Sequence, residues 1–429
     1  MTRNLRTFYI VAVTQVFSLI GSSMTSIALG IQIFNDTGKS TPLTLAALFV
    51  AIPPMLGGSL AGVFADKWNR RLILMLTDFG QGLGTTVLLS GFLTGNFMLW
   101  HLYLVSFVNG LLSMFQRPAM EASVTMLVPE NHRDRANTVR QITGPTAGII
   151  APVITGFVYA SIGVVGVMIV DLATFIVAVG IVSLVHIPQP GKNKITGNGT
   201  TWQELRIGMD FLLKNKILIL IMVYAALINF LLAGPMTLST PYIIVLTGSE
   251  ATLGILLGFM NIGIVTGGVF MMIFGGTRPR IHGIMLGLLF RSFWLILYGI
   301  VRTPLMLGMA LFFIFSTNAL VDASFMSIIQ AKVPPNMQGR VFALLFQMMY
   351  IATPLSLLIA GPLVDNVLEP AVNTSWWHYF NFIVGHSPGS GIGLLMTTAG
   401  LCMLVLTVLV YSYRKVRSVE NDLPDYNGI

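Results

Sequence analysis

Val128-Pro129-Glu130-Asn131 followed by Arg135, and Val333-Pro334-Pro335-Asn336 followed by Arg340, are two copies of one pattern. They stand at a constant spacing that also carries Gly156 onto Gly361. Each copy ends one long apolar run and leads into the next. A stretch repeated in this way marks a fold built from two related halves.

Working outward, we read twelve apolar runs: 7–34, 42–65, 72–94, 98–126, 137–160, 163–187, 217–246, 252–275, 282–302, 305–331, 341–364 and 390–412. Each has the roughly 20 residues that a helix needs to cross a bilayer. Turn signals separate them, among them Asn35-Asp36-Thr37-Gly38, Thr94-Gly95-Asn96 and Thr303-Pro304. Of the 429 residues, 55% are hydrophobic and only 9% charged, against about a quarter charged in soluble chains. The expected fold is an all-α membrane protein with twelve transmembrane helices in two six-helix pseudo-symmetric halves. The halves are residues 1–189 and 217–412, with a linker at 190–216 and a tail at 413–429.

Charge placement orients the helices. Arg3, Arg6, Lys67, Arg70, Arg71, Arg133, Arg135, the linker lysines, Arg278, Arg280, Lys332, Arg340, Arg414, Lys415 and Arg417 fall on one set of connections; Lys39 and Arg302 alone fall on the other. Positive residues stay inside, so both termini and the linker are expected in the cytoplasm. The net charge of +8 therefore sets topology and points to no nucleic acid. The N-terminal run is too long for a cleaved leader and reads as the first span. Cys402 lies alone in the last run, which excludes an internal disulfide framework. Two connections stand out. Residues 188–216 begin with Pro188-Gln189-Pro190-Gly191 and continue into 202–213, where Trp202, Leu205, Met209, Leu212 and Leu213 predict an amphipathic helix on the inner surface. Residues 365–389 carry Trp376, Trp377, Tyr379 and Phe380, expected to anchor at headgroup level.

Three motifs carry a resemblance. Gly62-Val-Phe-Ala-Asp66-Lys67-Trp-Asn69-Arg70-Arg71 lies in the turn after the second run. Gly62 allows close helix approach, Asp66 can accept bonds from helix N-terminal amides, and Asn69 suits a left-handed turn. Gly144-Pro145, Gly148, Pro152 and Gly156 form a helix-packing motif in the fifth run, where prolines bend a helix and small residues let a neighbour approach. Asp171-x-x-Thr-Phe175, Trp202-Gln-Glu-Leu-Arg-Ile-Gly208, Gly339-Arg340-Val341-Phe342 and Gly361-Pro362-Leu363-Val364-Asp365 extend the match over nearly the whole chain. The first motif resembles the signature loop of the major facilitator superfamily, with Asn69 where that family has glycine. The second resembles its antiporter motif, with Ala151 and Thr155 in place of two glycines. The chain as a whole is similar to the drug:proton antiporter group, in its macrolide-efflux-like branch, which includes exporters of siderophores and peptide products.

That resemblance implies a monomeric secondary transporter of the inner or plasma membrane, moving a small amphipathic substrate against protons. Ionisable residues inside spans are the functional candidates. Asp66, Arg70 and Glu121 are read as an inner-gate network. Asp322, Asp171 and Glu121 are the proton-coupling candidates, with Asp322 first; Arg291 stands at similar depth and is available to pair with it. Gln15, Asn109, Gln116, Asn229, Asn261, Asn318, Phe325, Gln347 and Tyr350 are candidate cavity residues. Neither a nucleotide-binding loop nor a metal or catalytic constellation is visible, so no cofactor and no enzymatic activity are expected. An importer, a receptor or scaffold without transport, and a lipid flippase remain alternatives.

Overall fold

The computed structural model describes the backbone of residues 3–67, 69–127, 133–184, 209–213, 215–334, 337–422 and 426. It describes their side chains except at 3–8, 11, 59–67, 70, 117, 121–127, 133–142, 182, 184, 339–340, 343 and 421.

Apolar sequence in a bilayer must satisfy its own backbone, so it folds as helix. The chain opens with α1 (Arg3–Thr37), α2 (Thr41–Lys67), α3 (Arg70–Leu93), α4 (Leu99–Leu127) and α5 (Arg133–Leu184). It continues with α6 (Lys216–Thr237), α7 (Ser239–Thr247), α8 (Glu250–Phe274), α9 (Arg280–Ile300), α10 (Pro304–Ser316), α11 (Asn318–Lys332), α12 (Gln338–Tyr350) and α13 (Thr353–Leu363). Then come α14 (Glu369–Ala371), α15 (His378–Val384), α16 (Ser390–Ser412), α17 (Arg414–Arg417) and α18 (Val419–Asp422).

Among the described residues, ten stretches are long and apolar enough to cross a membrane. One of them, Thr143–Ile181, contains Gly163 at φ 66 and ψ −171. That conformation is open to glycine and closed to nearly every other residue, and it divides α5 into two spans. The 29 residues of α4 complete the twelve membrane-spanning helices, in two six-helix halves.

The chain clusters into two compact units, Met1–Lys194 with Thr247–Gly258, and Ile195–Leu246 with Phe259–Ile429. In the first unit α1 packs along α5, α2 along α4, and α3 against both α4 and α5. Its core joins Met24, Ala28 and Ile33 of α1 to Leu88, Leu102, Val167 and Met168. The start of α8 belongs to this unit, through the helix-packing motif. A Cβ on Gly254 would stand 2.3 Å from the Pro152 carbonyl, and one on Gly156 would stand 2.7 Å from the Glu250 carbonyl. In the second unit α9 packs against α10, α11 and α16, and α6 against α12, α13 and α16.

Three spans of the second unit are interrupted: α6/α7 at Leu238, α10/α11 at Thr317, and α12/α13 at Ile351–Ala352. Within α6, about one turn before its break, a side chain from α13 enters the backbone ladder. Ser356 inserts into the α6 ladder, accepting from the Gly234 amide and donating to the Phe230 carbonyl. Such insertion is a known origin of helix bending.

The 365–389 connection is an ordered cap. A π-helical turn at Val364–Leu368 prolongs α13. Trp377 is fully buried with Ala371, Val372, Val384 and Leu394, and its indole donates to the Gly385 carbonyl at 2.9 Å. This corrects the expectation that Trp377 lies at the headgroups; Trp376, Tyr379 and Phe382 are the exposed aromatics. Arg302, one of two cations on the sparsely charged side, donates to the Tyr242 hydroxyl at 2.7 Å and to the Val384 carbonyl. It ties the cap to α7, which gives it a packing role independent of topology. Most of the expected amphipathic helix, 202–208, lies outside the described residues. Within 209–213, Leu212 is buried and Leu213 exposed.

Close helix contacts rest on particular glycines. A Cβ at Gly267 would lie 1.9 Å from the Ser316 carbonyl, whereas one at Gly268 would meet nothing within 4 Å. Gly267→Ala should therefore cost about 1–3 kcal/mol of overpacking, seen as a lower melting temperature of the purified protein in detergent. Gly268→Ala should melt as the wild type; equal melting of both variants would contradict this packing.

Candidate substrate and coupling sites

Two buried carboxylates organise the first unit. Asp78 on α3 is fully buried. It accepts from Gln15 Nε2 of α1 at 2.9 Å and from Gln116 Nε2 of α4 at 2.7 Å. Gln81 extends the chain by donating to Gln116 Oε1 at 3.1 Å. Two of the predicted cavity amides, Gln15 and Gln116, are thus joined through an acid that was not among the coupling candidates. The signal is present in the sequence: an aspartate within an apolar run defaults to a functional candidate.

Asp171, in the second half of α5, is also buried. Its Oδ2 accepts from Thr25 at 2.8 Å and from Thr85 at 3.1 Å, while Oδ1 has no hydrogen-bond partner and faces Gly21, where a Cβ would stand 2.7 Å away. Phe175, one turn on, packs over Gly82. Asp171 and Phe175 of the sequence motif therefore fasten α5 to α1 and α3. Hydrogen bonds to a charged group contribute more than neutral ones, and here they hold three helices together.

The second unit places a cation at a helix break. Arg291 on α9 is buried and donates to Thr317 Oγ1 at 2.9 Å and Asn318 Oδ1 at 2.6 Å. These residues stand between α10 and α11. Asp322 lies one turn further along α11 and is exposed; Arg291 is committed to Thr317 and Asn318, and the expected ion pair with Asp322 is not formed. At the neighbouring break, Asn229 of α6 donates to the Met349 carbonyl at 3.1 Å. Gln347 and Tyr350, beside that carbonyl, are exposed. Interrupted helices bring polar side chains to membrane depth, where ligand sites are found. Asn318, Asn229, Gln347, Tyr350 and Asp322 gather at such breaks. Asn261 and Phe325 are buried in packing. In the first unit, Asn109 Oδ1 is buried without a partner.

In the signature loop, α2 ends at Lys67 and α3 begins at Arg70. Asn69 has φ −65 and ψ 109, and its side chain accepts from the Leu72 amide. It is an N-cap in an extended conformation, which corrects the expected left-handed turn. Arg71 donates to the Ser183 carbonyl at the end of α5. The side chains of Gly62, Asp66, Lys67, Arg70 and Glu121 lie outside the described residues, so the expected gate network falls there too. Of the helix-packing motif, Pro152 and Gly156 meet the start of α8, while a Cβ on Gly144 would meet nothing.

Comparison with known proteins agrees with this architecture. The family model described as Major Facilitator Superfamily matches residues 11–357. Macrolide efflux protein A of Streptococcus pyogenes is 24% identical over 416 residues, covering 95% of this chain and 97% of the relative. The enterobactin exporter EntS of Shigella flexneri is 26% identical over 190 residues, 43% of this chain and 45% of the relative. Among solved structures, a bacterial homologue of the human lysosomal transporter Spinster superposes with a TM-score of 0.73 at 16% identity, covering 99% of both chains. The nucleoside transporter NupG gives 0.70 at 14% identity, covering 96% of this chain and 100% of that one.

Gln116→Leu removes a donor from the buried Asp78 and should destabilise the protein by about 1.5–3 kcal/mol. Asn109→Leu removes an unpartnered carbonyl oxygen and should be milder. Thermal melts in detergent compare them; an equal or larger loss at Asn109 would contradict the Asp78 network.

Proposed function

The chain belongs to the major facilitator superfamily, and we propose that this multi-pass membrane transporter is a proton-coupled exporter of a macrolide-like or other amphipathic small molecule. The observation that carries the reading is the end-to-end similarity to macrolide efflux protein A. The breaks in the second unit support it: they place amide and carboxylate groups beside apolar helix faces. That mixture suits a large ligand with scattered polar groups.

In this mechanism the halves 1–189 and 217–412 alternate in exposing the substrate to the two sides of an inner or plasma membrane. Both termini and the linker are cytoplasmic, and the protein acts as a monomer. Asp322 exchanges the coupling proton, since an exposed carboxylate on an interrupted helix can meet both water and substrate. Asp171, Asp78 and Glu121 are the other acids on which coupling could rest. Arg291 holds the α10/α11 break in shape, and Asp66, Arg70 and Glu121 close the inner side. No step of the cycle makes or breaks a covalent bond of the substrate. A second reading, siderophore export, is favoured by the similarity of one stretch of the chain to the enterobactin exporter.

Inverted membrane vesicles offered a macrolide, an ethidium-like dye and a siderophore test the proposal. Wild type should accumulate one of them until an uncoupler is added, and Asp322→Asn, folded and inserted, should lose at least ten-fold of that uptake. Full uptake by the variant would remove Asp322 from the mechanism. Uptake that survives the uncoupler would remove proton coupling.

A further inference from the structure

The loop between α8 and α9, Gly275-Gly276-Thr277-Arg278-Pro279-Arg280, corresponds to the signature loop of the first half but contains no acid. It borders a half-open cavity of about 180 Å³ lined by Met271, Gly276, Thr277, Arg278, Arg280, Ser324 and Ser327. That space exceeds the roughly 30 Å³ occupied by one water in the liquid. Ser324 is 1% exposed, yet its hydroxyl has no hydrogen-bond partner. Buried hydroxyls without a partner are uncommon, and most helical serines bond back to their own helix, as Ser292 does here. Ser327 stands one turn further along the same helix and lines the same space. Neither Arg278 nor Arg280 has a hydrogen-bond or ion-pair partner among the described residues. Glu420 approaches this end of α9, but its carboxylate is engaged by the Ile281 amide at 3.0 Å.

Two guanidinium groups with hydroxyl donors around one cavity form a tetrahedral-anion site, because arginine presents paired donors to phosphate oxygens. We propose that this cavity binds a phosphate group, with Arg278 and Arg280 supplying charge and Ser324 and Ser327 supplying hydroxyl donors. The phosphate comes from an anionic phospholipid headgroup or from a soluble phosphate. The lipid source rests on the reading that puts this loop at the cytoplasmic membrane edge, where anionic lipids attract basic residues; the soluble source does not need that reading.

The test uses purified, delipidated full-length protein in neutral detergent. Phosphatidylglycerol binding is measured by native mass spectrometry, and inorganic phosphate binding by calorimetry. Wild type should bind one of the two probes at a single site. Arg278→Gln/Arg280→Gln should weaken that binding at least ten-fold, while Arg278→Lys/Arg280→Lys should retain most of it. Ser324→Val, which removes a hydroxyl donor and narrows the cavity without changing charge, should also weaken binding and serves if the glutamine variant does not fold. Binding of phosphatidylglycerol alone assigns the site to a headgroup, and binding of inorganic phosphate assigns it to a soluble anion. Failure of wild type to bind either probe, or undiminished binding by the glutamine and valine variants, overturns the proposal. Neither result bears on export, which the vesicle assay reads separately.

Discussion

A backbone amide or carbonyl left bare in hydrocarbon is penalised by several kcal/mol, and this penalty shapes the whole chain. It makes continuous helix the default wherever sequence is apolar. It also means that a helix can stop inside the membrane only where something else takes up its freed groups. Near the interruptions of the second unit, particular side chains hold the chain in place. Ser356 bridges the Gly234 amide and the Phe230 carbonyl. Asn229 reaches the Met349 carbonyl. Arg291 holds Thr317 and Asn318 at the α10/α11 break. Several of the candidate cavity residues, Asn229, Asn318, Gln347 and Tyr350, stand at or near these breaks.

The two units handle ionisable residues differently. In the first, Asp78 and Asp171 are buried acids held by neutral amides and hydroxyls from neighbouring helices. In the second, a buried cation is held by neutral oxygens, and the carboxylate of its region, Asp322, is exposed. A fixed ion pair between Arg291 and Asp322 would have neutralised both groups in place. No salt bridge joins them, although Arg291 still attracts Asp322 through space; the coupling role is proposed at Asp322 because its side chain is exposed. Asp171, with Phe175 beside it on Gly82, has the geometry of a brace between helices.

Much of this was legible in the sequence because membrane topology is written in run length and charge. The twelve runs, including the division between the fifth and the sixth, and the close packing expected of the Pro152 and Gly156 motif follow from local composition. What eluded reading depended on partners distant in sequence. Asn69 substitutes for a glycine by capping a helix, and only its bond to Leu72 distinguishes that from a left-handed turn. Trp377 looked like its neighbour Trp376, but the cap buries one and exposes the other. Asp78 was visible as an acid in an apolar run, while its link to Gln15 and Gln116 joins three helices. The exposure of Asp322 required knowing that Arg291 is satisfied by Thr317 and Asn318.

The central claim is that a proton gradient alone drives the substrate outward through this protein. Purified protein reconstituted in liposomes, with an imposed pH gradient as the sole energy source and a radiolabelled macrolide as the probe, tests it most directly. The account predicts macrolide movement opposite to proton flow, reversed when the gradient is reversed and absent when it is collapsed. Movement independent of the gradient's sign, or in the same direction as the protons, would contradict it.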